Sequence, residues 1–389
     1  MQTLPARLQS IDVFRAITMF LMIFVNDVSS VSAIPHWIDH VDGKADGMGF
    51  ADTIFPAFLF IVGLSLPFAI RNRIKKGAST PALLGYIAVR SAALIIMGFF
   101  HVNLESYNSG ASLLSLPVWE LLVTISFFLV WMQYPENFSR IWKIILIAAG
   151  VFTLVFLALI YKGGETGELH GMRPSWWGIL GIIGWAYLVS ALVFVFVKGK
   201  WLLAMPFVFL LINGLSHAGL MPFSLPIIGD AASVTLVMNG IFISVMYERL
   251  SKNGNAGRLW LFLLLTCAAW IILGFVLRPY TDGISKIRAT PAWVLICSGI
   301  SVAVFTLMIW LVDLRKKQHW FTLIRPAGTS TLTCYLIPYI LYSLFALIRF
   351  SYPDLLNSGY PGIARSFAVS FVVIIIAGQL EKIPVKLKV

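Results

Sequence analysis

Along the chain, apolar runs of about 20 residues alternate with short polar breaks, and a helix of that length crosses a hydrocarbon core of ~30 Å. The pattern predicts spans near residues 11–30, 50–70, 82–102, 115–133, 143–161, 177–197, 201–220, 228–248, 259–278, 291–313, 329–349 and 362–380. Arginine and lysine gather in every second break: "RNRIKKG", "NFSRIWK", "VKGKW", "YERLSKNGNAGR", "DLRKKQH" and the tail "EKIPVKLKV". Basic residues near span ends are retained on the cytoplasmic side. The first span therefore runs outward from a cytoplasmic N-terminus, the C-terminus is also cytoplasmic, and the loops 31–49, 103–114, 162–176, 221–227, 279–290 and 350–361 face outside.

Composition excludes a soluble globular domain, with 59% hydrophobic residues, 12% charged residues and a mean hydropathy of +0.87. The expected fold class is an all-α polytopic integral membrane protein, a bundle of about twelve transmembrane helices with short loops, forming one domain over residues 1–389. The start "MQTLPARLQSIDVFRAITMF" has no cleavage site of a secretory signal, so the first helix is expected to remain. The net charge of +12 sits in short loops, which fits topology and anionic lipid headgroups and gives no reason to expect nucleic acid. Cys267, Cys297 and Cys334 lie inside apolar runs, where a thiol acts as a small hydrophobe. No internal repeat of the transporter kind is visible. Glycines at 178, 181 and 184 form a seam suited to close helix packing.

Polar residues inside spans are costly in lipid and mark candidate function. Asp12, Arg15 and Asn26 share one face of the first span, with Arg15 and Asn26 roughly 16 Å apart along it at ~1.5 Å per residue. This makes a stripe from the cytoplasmic mouth toward the outer half. Asp12 and Arg15 alone would also suit an ion pair anchoring a helix end. Arg90, inside the third span, either snorkels to headgroups or meets a phosphate between helices. His101, His170, His217 and His319 lie at span ends or in loops, where a histidine is ordinarily structural. His36 and His40 stand apart, because they share the first outer loop with Asp39, Asp42 and Asp46, just ahead of Asp52. Their spacing suits no zinc motif, so no metal is expected.

The segments "RLQSIDVFRAITMFLMIFVND", "WIDHVDGKADGMGFADTIFPAFLFIVG", "LLGYIAVRSAALIIMGFF", "GISKIRATPAW" and "RPAGTSTLTCYLI" resemble the catalytic membrane domain of the heparan-alpha-glucosaminide N-acetyltransferase family and its bacterial relatives, over nearly the whole chain. The specific parts are D-x-F-R at Asp12 to Arg15, F-V-N at Asn26, and a histidine ahead of A-D-x-x-F-P at Asp52 to Pro56. The resemblance implies transfer from cytoplasmic acetyl-CoA to a sugar amine on the far side, with His40 as the essential histidine. The family's H-x-x-W-N-G reads "HVDGKADG" here, a departure that bears on the acceptor, and the spans near 143–197 are additional. A homodimer in a bacterial inner membrane is implied as well.

Acyl transfer from a thioester needs a group near neutral pKa to take the acceptor's proton, or a nucleophile to carry the acyl group, and histidine suits either role. Asn26 is placed to donate to the developing oxyanion and Asp52 to orient the imidazole. Asp12, Arg15 and Arg90 are assigned to acetyl-CoA, the two arginines holding its phosphates. Asp27 and Lys286 are assigned to the acceptor. A secondary transporter of a sugar or organic anion is the alternative; it accounts for the stripe and gives His40 no task.

Overall fold

Ser79 and Thr290 illustrate how the apolar runs become helices with defined starts. Each side-chain oxygen accepts the backbone N–H three residues on, from Ala82 and Trp293 at 3.4 Å, and each is followed within two positions by a proline that needs no such partner. The structure, a computed structural model, describes residues 8–165, 167–221, 227–252, 256–382 and 386–387. The outer loop expected at 221–227, the break after residue 252 and the lysine-rich tail thus fall partly outside the described residues.

The α-helices are α1 (Gln9–Val28), α2 (Ala51–Lys75), α3 (Thr80–Val102), α4 (Leu116–Trp131), α5 (Arg140–Leu159), α6 (Gly178–Phe196), α7 (Gly199–His217), α8 (Ala232–Lys252), α9 (Ala256–Leu277), α10 (Pro291–Met308), α11 (Arg325–Thr329), α12 (Thr331–Leu347) and α13 (Gly359–Lys382). All but the short α11 fall on the expected segments. Eight helices among the described residues are long and apolar enough to cross a bilayer by length and composition, and α4 and α12 are shorter apolar helices. Apart from the short α11, the remaining helices are α1 and α8, which bury polar side chains such as Thr18, Asp27, Thr235 and Asn239. The chain is thus a polytopic helical membrane protein.

Two boundaries differ from the apolar pattern for a physical reason. Asp230 accepts the amide of Ala232 at 2.9 Å, so α8 begins at Ala232 although the apolar run begins earlier. Beyond α10 the helix continues as a π-helical turn, Ile309–Leu314, which carries Asp313. The Asp313 carboxylate accepts from the amides of Gln9 and Ser10 at 3.1 and 3.4 Å, capping the start of α1, where Leu8 offers no side-chain cap.

Small residues set the closest helix contacts. A Cβ on Gly63 of α2 would come within 1.9 Å of the Val237 carbonyl oxygen on α8, and one on Gly98 of α3 within 2.1 Å of the Gly181 amide on α6. The glycine seam of α6 therefore meets α3, with backbones closer than any side chain permits. Helix α1 runs through the middle of the bundle against α2, α11, α12 and α13. Its two ends define two sides of the molecule, called below the Arg15 side and the His40 side.

Candidate active site

The loop between α1 and α2 is folded tightly and tied to the loop before α10. Phe50 N–H donates to Trp37 O at 2.7 Å and Ala51 N–H to Ile38 O at 3.1 Å, closing the loop on itself. Gly49 is required there, since a Cβ would lie 1.8 Å from Asp39 O. Across the two loops, Gly47 N–H donates to Ile284 O at 2.9 Å while Ile284 N–H donates to Asp46 at 2.7 Å. Arg278 pairs with the other Asp46 oxygen at 2.9 Å, and the Arg288 guanidinium donates to the carbonyls of Gly43 and Ala45. The amide of Ile284 and the Arg278 guanidinium together hold the Asp46 carboxyl below its usual range.

This clasp brings three expected site residues together. His40 Nδ1 lies 2.6 Å from Asp52 Oδ1, and Asp52 is almost completely buried at the first turn of α2. Its other oxygen accepts the amides of Val41 and Gly49, both at 3.0 Å. A carboxylate only accepts, which assigns a proton to Nδ1 and leaves the lone pair on Nε2. Lys286 Nζ stands 3.2 Å from Nδ1, 3.5 Å from Nε2 and 3.9 Å from Asp52 Oδ1. Burial lowers the Lys286 pKa, against the opposing pull of Asp52. Trp293 of α10 donates its indole N–H to the Asp52 carbonyl at 3.2 Å, fixing the backbone beneath the carboxylate.

Toward the Arg15 side, a cavity of about 390 Å³ opens between α1, α2, α3, α6 and α12. Its polar lining includes Arg15, Ser65, Tyr86, Arg90, Tyr335 and Lys386. Arg15 donates to Ser65 Oγ at 2.6 Å and to Asp12 at 3.2 Å. Arg90 donates to Tyr86 OH at 3.2 Å, with its guanidinium 5.1 Å from the Tyr187 ring centre, and the Arg73 guanidinium lies 3.4 Å from the Tyr86 ring centre. Cations backed by aromatic faces and apolar walls fit a ligand with an anionic head and an apolar arm. Asp12, expected at the cofactor, contributes through its pair with Arg15.

Two expected site residues lie near the end of α1. Asn26 is exposed near the end of α1, and among the described residues no hydrogen bond joins its side chain to His40, Asp52 or Lys286. Asp27 is buried and accepts from Arg365 at 3.1 Å and from Ser366 and Tyr342 at 2.5 Å each, bracing α1 against α12 and α13. Its oxygens are committed to that brace, which leaves Lys286 as the acceptor-side candidate at His40.

Residues 7–108 match the family model for heparan-alpha-glucosaminide N-acetyltransferase, catalytic. Heparan-alpha-glucosaminide N-acetyltransferase from Homo sapiens is 38% identical over 103 residues, which are 26% of this chain and 15% of that protein. The Mus musculus protein of the same name is 35% identical over 97 residues, 25% of this chain and 14% of its own length. The matched part thus spans only a small share of these relatives. It is also narrower than the nearly full-length resemblance expected from the motifs. It covers α1, α2 and α3 and every expected site residue except Lys286.

Of the positioning residues, Asp46, Arg288 and Trp293 lie in segments that carry the resemblance without being assigned a role there, and Arg278 lies in none of them. Opposite charges in two loops on the same side, at Asp46, Arg278 and Arg288, are the signal that points to the clasp.

Proposed function

We propose that the protein is a membrane-embedded acyltransferase that moves an acetyl group from acetyl-CoA, entered from the Arg15 side, to an amine or hydroxyl of a sugar or glycan on the His40 side. The observation that carries this reading is the buried Asp52 clamping His40 beside Lys286, at the end of the bundle opposite the arginine-lined cavity. Acetyl-CoA matches the cavity in charge, Arg15 and Arg90 taking its phosphates. By the basic loops the Arg15 side is cytoplasmic, with both termini there, in a bacterial inner membrane. The chain acts as one transmembrane unit, as a homodimer among membrane lipids.

In the reaction the acceptor attacks the thioester carbonyl, and His40 Nε2 takes the proton that the acceptor loses. Asp52 stabilises the resulting imidazolium and keeps the ring oriented. Lys286 offers its ammonium to the carbonyl oxygen as that oxygen becomes negative, and Asn26 is a second donor from the end of α1. The C–S bond then breaks, and the thiolate receives the proton held by His40. The released products are the acetylated acceptor and free coenzyme A. A ring clamped to a buried carboxylate is poorly suited to swing between donor and acceptor, which favours direct transfer over an acetyl-histidine carrier.

Purified protein given acetyl-CoA and glucosamine should release free thiol at a rate that depends on the amino sugar. Absence of thiol release with every amino sugar and glycan tried would overturn the reading, as would release that His40→Ala leaves unchanged.

A further inference from the structure

Arg90 and His101 occupy α3 at the spacing that separates Arg15 from Asn26 on α1, about three turns or roughly 16 Å. At about 100° per residue this spacing returns to the same helix face. Both helices start on the Arg15 side, and both arginines line the cavity. His101 therefore shares the α3 face of Arg90 and Leu94, about two turns beyond the last α3 residue that lines the cavity.

The surroundings of His101 are unusual for a histidine. The residue is only 7% exposed, and neither ring nitrogen has a hydrogen-bond partner among the described residues. The ring lies flat on Tyr339, with centres 4.1 Å apart and planes 14° from parallel, and meets Phe127 edge-on. Tyr339 OH is 3.1 Å from Tyr335 OH, and Tyr335 lines the cavity. Phenylalanine would fill this aromatic niche without leaving polar atoms unsatisfied, so packing alone does not account for an imidazole. Between the cavity and His101 the walls are soft: Met19 and Met22 line the cavity and Met97 is fully buried above it. Unbranched thioether side chains repack readily around a new neighbour.

We propose that His101 is a binding residue for the amide-bearing arm of the acyl donor, meeting one of its amides as the arm threads between α1, α3 and α12 past the three methionines. The inference rests on the function proposed above. A donor with phosphates at Arg15 and Arg90 and its thioester near His40 must span this column, and the pantetheine arm of coenzyme A carries two amides along its length. A neutral imidazole offers one donor and one acceptor, which complement an amide's carbonyl and N–H. The orphaned nitrogens are then satisfied in the complex.

The test compares coenzyme A with adenosine 3′,5′-bisphosphate, which shares its phosphorylated nucleoside end and lacks the arm, by calorimetry on the full chain in detergent. His101→Phe keeps the stacking on Tyr339 and removes both nitrogens. It should weaken coenzyme A about tenfold, the loss of one hydrogen bond, while leaving the bisphosphate within about twofold and the melting temperature unchanged or higher. His101→Asn, which retains a donor and an acceptor, should hold coenzyme A within about threefold of the wild type and serves if the phenylalanine variant does not fold. Unchanged coenzyme A affinity in folded His101→Phe would overturn the proposal and leave His101 as packing or a partner to buried water. Equal losses for both ligands, or a tenfold loss in His101→Asn, would also overturn it. Wild-type protein that binds neither ligand would instead remove the acyl-CoA reading itself, and this inference with it.

Discussion

Lys286 Nζ lies 3.5 Å from His40 Nε2, although 246 residues separate the two in the chain. Nε2 is the nitrogen that Asp52 leaves with a lone pair, so a half-buried ammonium stands where an acceptor's proton would be taken and where negative charge would develop.

Of the two histidines in the loop between α1 and α2, both exposed, only His40 is held by Asp52 and Lys286. His40→Ala should lower acetyl transfer by at least the ~10²-fold typical of a lost acid–base group and leave acetyl-CoA binding intact. His36→Ala should keep most activity. Initial rates with labelled acetyl-CoA and a responsive amino sugar make the comparison, and equal losses in the two variants would remove the special status of His40.

Lys286 should also show itself in the pH dependence of stability. Burial makes its folded form bind a proton more weakly than the unfolded chain, whose value is near 10.5. Folding is penalised while both forms are protonated, and the penalty fades as the pH rises from the lowered folded value toward 10.5. Lys286→Met should therefore raise the melting temperature at neutral pH, by a margin that shrinks toward pH 10.5, while transfer falls. A margin that grew with pH would contradict the assignment.

The loop clasp positions His40 without touching substrate, so its loss should appear in turnover rather than in donor affinity. Asp46→Ala frees the Ile284 amide and Arg278 together. About tenfold or more should be lost from kcat with KM for acetyl-CoA nearly unchanged, since small misplacements of reacting groups are costly. Because the Asp46 carboxyl is held below its ordinary value of 3.8, its contribution to stability is full above that pH and is lost as the pH falls through the lowered value. Acid melting curves of wild type and Asp46→Ala should converge there.

At the opposite end, Arg15→Met or Arg90→Met should weaken acetyl-CoA by about 1.5–3 kcal/mol, the range for a hydrogen bond to a charged group. Calorimetry reads the change directly. Full affinity in both variants would return the two arginines to a purely structural role.

Arg365 and Asp27 offer a stability test independent of the reaction. Both are buried, and removing only the arginine leaves an uncompensated carboxylate. Arg365→Met should cost about 3–5 kcal/mol, and the double variant with Asp27→Asn should recover part of it. Thermal melts in one detergent are sufficient, and equal melting temperatures in the single and double variants would show that the pair is uncoupled.

The helices were legible because an apolar run long enough to cross a membrane leaves a mark in any window of the sequence, as at α2 and α13. His40 and Asp52 were legible together because they flank one short loop. Lys286 was legible as an acceptor-side candidate in the loop before α10, but its approach to His40 depends on how α10 packs beside α2. The same holds for Asp313, which caps α1 from the far end of α10, and for Arg365, which takes up Asp27 from α13. Asp27, assigned to the acceptor, is the neighbour of Asn26 in the chain. Helical geometry turns adjacent side chains about 100° apart, so one became a brace while the other stayed exposed.

Arg278 and Asp46 of the clasp are each nearly half exposed, whereas the cavity holding Arg15 and Arg90 lies within the bundle. Exposed ion pairs weaken as the Debye length shrinks from ~10 Å at 0.1 M salt to ~3 Å at 1 M, and buried contacts are screened far less. The two faces of the protein should therefore respond differently to electrolyte. In sealed vesicles, raising ionic strength in the compartment facing His40 should slow turnover while donor affinity stays constant.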